Sequence, residues 1–215
     1  MARESSDIIG SYRELPLGKW LHEVLPLCDG TDPVETKAAV IGVLTGRTAK
    51  EVLALPIAQF AAYAAVAEFL TLPPDTSRAG RAAARYDLGD FVLVPRCDPD
   101  KISAAQFIDF QTLSRDVDKD PAAVLSVFLV PEDKAYNDGY DIREVQRVIE
   151  ERLSVQDAME LLAFFFSRFV ACLPASLTSS EKAIRGVKDR RTRKALRERL
   201  KEVAALLRSG AGLPT

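Results

Sequence analysis

Histidine is almost absent from this chain. His22 is the one imidazole in 215 residues, which weakens nucleophile–base schemes that need imidazole and metal sites built on several histidines. It stands in "GKWLHEVLPL" next to Trp20, where a lone histidine reads as a structural or surface residue. Cysteine is also sparse. Cys28, Cys97 and Cys172 are odd in number, far apart and without a CxxC spacing, so they read as reduced thiols in a cytosolic compartment. Long apolar runs are missing too. The most apolar, "AMELLAFFFSRFVACL", contains Glu160 and Arg168 and stops at about 16 residues, short of the roughly 20 a membrane helix needs. It is expected to be a buried helix. The start, "MARESSDIIG", has no apolar core of a signal peptide, and the expected location is the cytoplasm.

What remains is the composition of an ordinary globular protein, 47% hydrophobic and 28% charged, long enough for one large domain or two small ones. The formal net charge of −2 conceals an asymmetry. Between Lys182 and Arg208 eleven Lys or Arg face three acids, a local +8 that leaves −10 on the rest. An acidic body over 1–174 and a basic extension over 175–215 are the expected divisions.

Helix-start signals recur before apolar-periodic runs, where a side-chain oxygen satisfies backbone amides that lack helical partners. Asp32, with Pro33 and Glu35, predicts a helix to Leu44 ended by Gly46, and Thr48 with Glu51 predicts a short one to about Leu55. After Pro56, "IAQFAAYAAVAEFL" is apolar nearly all round, so it is expected to lie centrally in the core. Pro73 and Pro74 stop it. Residues 85–88 and 91–94 flank a Gly89-Asp90 turn and predict one β-hairpin. Ser103 and Gln106 then form a capping box, and Pro121 fronts a helix from Ala122 to Val130. "PEDKAYNDGYD" reads as a polar loop. Asp141 with Glu144, Ser154 with Asp157 and Thr178 with Glu181 open three more helices, the last long and basic. The predicted fold is mainly α: a compact multi-helix domain with one small β-hairpin and a long basic C-terminal helix.

Three lookalikes lack the chemistry they suggest. "GVLTGRT" has three residues between its glycines and Arg47 after the second, where a phosphate-binding loop needs four and a lysine. "DVDKDPA" carries alternate carboxylates, but Pro121 replaces the turn glycine of a calcium loop and Val127 its last glutamate. In "CDPD", Asp98 and Asp100 precede the Ser103 cap, where acids favour a helix start. No metal or cofactor is expected.

Two surfaces are more suggestive. The basic run, with Lys188, Arg190, Arg191, Arg193, Lys194 and Arg197 as its patch, can neutralise phosphates. It also repeats Ala195, Leu196, Leu200, Val203, Leu206 and Leu207 at helical spacing, and no aromatic residue interleaves it for base stacking. In "LLAFFFSRFV", Phe164, Phe165, Phe166 and Phe169 cannot all point one way, because three consecutive helical residues span about 200°. The helix is therefore buried on several sides or offers a partner groove. In "KISAAQFIDFQTL", Gln106 reads mainly as a cap and Phe107 and Phe110 mainly as core, while Asp109 is expected to bond a neighbouring helix amide.

The pieces "AAVIGVLTGRTAKEVLALPIAQF", "YDLGDFVLV", "KISAAQFIDFQTL", "DPAAVLSVFLVP" and "IEERLSVQDAMELLAFFFSRF" stand in an order that resembles helical proteins encoded among the tail genes of double-stranded DNA bacteriophages. These are assigned as tail assembly chaperones or tail proteins. The resemblance covers roughly Trp20 to Phe169, and the basic extension lies outside it. It implies a non-enzymatic factor in the host cytoplasm that holds an aggregation-prone tail component or forms part of the tail machinery. The expected partner is a tail protein, or a second copy by self-association, met through apolar helical surfaces. The partner-binding residues expected on this reading are Phe107, Phe110, Val127, Phe164, Phe165, Phe166 and Phe169. The alternative is a virion structural or nucleic-acid-associated protein using the basic helix. Salt separates the two, since apolar burial is unscreened whereas phosphate contacts weaken steeply through counterion release. An activity depending on Cys97 or His22 would instead mark an enzyme of unfamiliar type.

Overall fold

The computed structural model describes residues 8–28, 32–77, 82–98 and 101–168. The expected boundary at 174, Phe169, Cys172, the helix after Thr178 and the whole basic patch lie outside them. The described chain is mainly helical with a small three-stranded antiparallel sheet. By its internal contacts the chain divides between Phe164 and Phe165.

The N-terminal half begins with α1 (Leu17–Lys19), which continues as one π-type turn and one 3₁₀ turn to Leu27, and is completed by α2 (Pro33–Thr45), α3 (Ala49–Leu53) and α4 (Ile57–Val66). Asp32 caps α2 by accepting from the Val34 and Glu35 amides at 2.8 and 3.1 Å, a contribution of about 1 kcal/mol. Gly46, at φ +71°, ends it. The following turn comes back hard on the helix it leaves, and a Cβ on Gly42 would sit 2.7 Å from the Arg47 carbonyl oxygen. Thr48 and Glu51 complete a reciprocal capping box at the start of α3. Ile8, Leu15, Ile41, Leu44, Val52, Tyr63 and Val155 share the core of this half.

The second half carries the sheet. β1 (Tyr86–Leu88) and β2 (Phe91–Pro95) form the expected hairpin, with Gly89 at φ +76° in the turn. Arg152 packs against this glycine and donates to the Leu88 carbonyl at 2.6 Å, so any Cβ there would strike its guanidinium. α5 (Ala104–Leu113) comes next, then α6 (Pro121–Phe128). A third strand, β3 (Leu129–Pro131), leaves α6 and pairs with β2. It occupies the residues expected to finish the helix after Pro121, so α6 is shorter than the sequence suggests. The edge of β2 draws the chain out of the helix: Val130 pairs with Val94, and the Arg96 amide donates to the Phe128 carbonyl at 2.7 Å. Every residue of α6 is buried, and each of Val124, Leu125, Val127 and Phe128 gains about 1.5–3 kcal/mol from leaving water. α5 packs on it, as does α7 (Ile142–Arg152). The last described helix, α8, covers 155–168. Ser154 caps it by accepting from the Asp157 amide and donating to the Asp157 carboxylate.

α4 departs most from expectation. Of Ile57–Val66 only Tyr63 is buried, and the helix lies at the surface. None of the described helices is long and apolar enough to cross a membrane.

Candidate functional site

A helix turns 100° per residue, so Ile57, Ala58, Ala61, Ala62 and Ala65 fall within one arc of about 140° on α4. All five are exposed, Ile57 at 81%. The other side carries Phe60, Tyr63 and, just past the helix, Ala67 against the core, and the Arg47 guanidinium lies over the Tyr63 ring, 5.7 Å from its centre. No formal charge occurs from Val52 to Ala67. Leu53 and Leu72, 51% and 68% exposed, add to the apolar surface at the ends of this segment. α4 also starts bare, because Pro56 offers no side-chain cap and its first turn has no acid. Glu68, just past its other end, is exposed.

Several polar side chains elsewhere are paired within the fold. Tyr136, from the polar loop after β3, donates its hydroxyl to Asp109 Oδ2 at 2.7 Å. Burial, then that bond to the carboxylate, push the phenol well above its ordinary range. Asp109 therefore holds a loop tyrosine and not the helix amide expected for it. Gln106, expected mainly as a cap, does more. The Ser103 hydroxyl accepts from the Gln106 amide, but the Gln106 side chain is buried and donates to the carbonyls of Arg96 and Val127, at 3.0 and 2.7 Å. It ties the end of β2 to the end of α6.

A third group joins the N-terminal segment to α8. Arg13 reaches Glu160 at 3.2 Å and Asp157 at 3.8 Å, and Gln156 donates to Glu160 and to the Asp75 carbonyl. The Tyr86 phenol is raised, chiefly by burial, with Asp157 and Glu160 adding to the effect. That of Tyr12 is raised by burial first and Cys28 second; its hydroxyl donates to the Leu72 carbonyl. Among the described residues no group of three or more His, Cys, Asp or Glu is arranged to hold a metal ion. His22 is an exposed residue whose Nε2 lies 3.5 Å from Glu150 Oε2.

The structure distributes the residues expected to bind a partner. Phe110, Val127, Phe164 and Phe165 are buried, and Phe107 and Phe166 are half-buried. Phe110 and Phe128 pack with ring centres 5.2 Å apart. A partner would reach the four interior side chains only if the fold opened, so they do not form a ready surface. The α4 face does, and hydropathy hides it because both sides of the helix are apolar. Side-chain size carries the signal: the aromatic rings of Phe60 and Tyr63 fall on one side, and on the other Ile57 is followed by alanines alone. Comparison with protein-family models, with curated proteins and with solved structures finds no match for this chain.

Proposed function

We propose that this protein is a non-enzymatic assembly factor of the phage tail class, acting in the host cytoplasm and binding a tail protein through the outer face of α4. The observation that supports the reading is an uncharged apolar helix face left exposed, with Ile57 at 81%. Water gains nothing from such a face, and covering it releases about 25 cal/mol per Å² of apolar surface. Small side chains also let a second helix approach closely, so an apolar helix is the matching partner chemistry.

The test is a tagged pull-down from phage-producing cells, washed at about 0.1 M and 1 M salt, across which the screening length falls from about 10 Å to 3 Å. A tail protein held through both washes by the wild-type chain, and lost from an Ile57→Ser, Ala61→Glu variant, is the expected result. Equal capture by both chains, or no tail protein from either, overturns it. The local +8 between Lys182 and Arg208 supports the second reading, a nucleic-acid-associated protein. Nucleic acid held only at low salt, and lost on truncation after Thr178, would establish that one instead.

A further inference from the structure

We infer that the α4 face is covered, in the protein without its partner, by α4 of a second copy of this chain, packed antiparallel about a two-fold axis beside Ala61. This rests on the reading of that face as an interaction surface and names its occupant.

Two properties of α4 make it complementary to itself. The first is size. A two-fold interface brings each residue opposite a fixed counterpart of the same helix. With Ala61 on the axis, Ile57 of one copy meets Ala65 of the other, and Ala61 meets Ala61. The bulky exposed side chain of the arc thus falls on a small one, and the helices approach closely without a clash.

The second is charge. The backbone amides at the start of α4 have neither a side-chain cap nor an acid in the first turn, leaving the positive end of the helix dipole unanswered. Glu68 is exposed in the 3₁₀ turn Ala67–Thr71 that continues α4, at the opposite, negative end of the segment, where an acid is disfavoured. The antiparallel two-fold exchanges these positions and sets each Glu68 beside the bare N-terminus of the other copy. It also keeps the two Glu68 residues about 20 Å apart, at 1.5 Å of rise per residue, where a parallel pairing would bring them together. The stretch from Val52 to Ala67 brings no formal charge of its own to the contact, which matters for a body that carries −10 outside its basic segment.

Self-association and partner binding on this face exclude each other. The experiment is analytical ultracentrifugation of the purified full chain from about 1 to 100 μM, a range that brackets micromolar dissociation constants. The wild type is expected to convert from monomer to dimer with rising concentration. Ala61→Glu, which sets two carboxylates against each other on the axis, is expected to weaken the dimer by roughly a hundredfold or more, and Glu68→Gln by about two- to fivefold. As an independent check, Ala61→Cys should form a reducible cross-linked dimer on air oxidation, above the wild-type background, whereas Val34→Cys, on exposed α2 surface, should not. A wild-type chain that stays monomeric throughout overturns the inference, as does a dimer indifferent to Ala61→Glu and not cross-linked by Ala61→Cys. A monomer that still captures a tail protein through the face removes the dimer and leaves the proposed function standing. A dimer through Ala61 with no tail protein captured does the reverse.

Discussion

α4 and α6 are both uncharged and rich in alanine and aliphatic residues, yet all of α6 is buried and α4 buries one residue. Composition does not separate them. Their neighbours do: α6 has α5 on one side, α7 on another and a strand leaving its end, whereas α4 rests on the α2 side of the core chiefly by Phe60 and Tyr63. Hydrophobicity states that a helix would gain from burial, and topology decides how many sides are served. A helix apolar all round and served on one side leaves apolar surface in contact with water.

The contrast breaks most visibly at its buried end. Phe128→Ala is expected to cost about 3–5 kcal/mol in urea unfolding, since it empties a fully enclosed volume beside Phe110. A loss below about 1 kcal/mol would mean α6 is not the core helix described. Gln106→Ala follows at about 2–3 kcal/mol, because the Val127 and Arg96 carbonyls lose their shared donor; Gln106→Glu, which keeps the length but offers fewer donors, should not restore it.

Tyr136→Phe is smaller, about 1 kcal/mol at neutral pH. Its pH dependence has a definite sign. The folded phenol is raised above its ordinary value of 10.0, so the stability it lends is complete below that value and is lost as pH rises through the folded one. Wild type and variant should therefore converge in strongly alkaline unfolding experiments, and a gap that widens instead would contradict the Asp109 contact. Last, Ile57→Ser should change stability by less than about 0.5 kcal/mol in the monomer, since Ile57 is already in water. A large loss would show that α4 is buried after all.

The parts of this fold that can be read from the residues are those set by chain neighbours. Asp32, Thr48, Ser103, Asp141 and Ser154 all cap the helices they precede, because a cap bonds amides two or three residues away. The hairpin at Gly89 is legible for the same reason. β3 is not, since Leu129 and Val130 leave the helix for a partner strand more than thirty residues earlier, a pairing without a local mark. Gln106 is half legible, because the capping pattern describes its amide correctly and is silent on where its side chain reaches. Asp109 meets a tyrosine 27 residues along the chain. The candidate face is visible only in side-chain size, since hydropathy weighs an alanine and a tyrosine of α4 without saying which looks inward.

The strap formed by the first described residues sets the order in which the molecule can be made. The Leu17 amide donates to the Leu153 carbonyl, Val155 to Leu15 and Gln156 to Tyr12, each near 3 Å, so the beginning of the unit is locked by its far end. Leu15 and Leu17, wholly enclosed in the finished protein, lack these backbone partners until residues 153–156 have been synthesised. At about 5–20 residues per second, that interval lasts on the order of ten seconds. Until it ends the nascent chain carries an apolar segment that is not yet strapped down, and a ribosome that stalls before residue 153 leaves a product more open to aggregation and proteolysis.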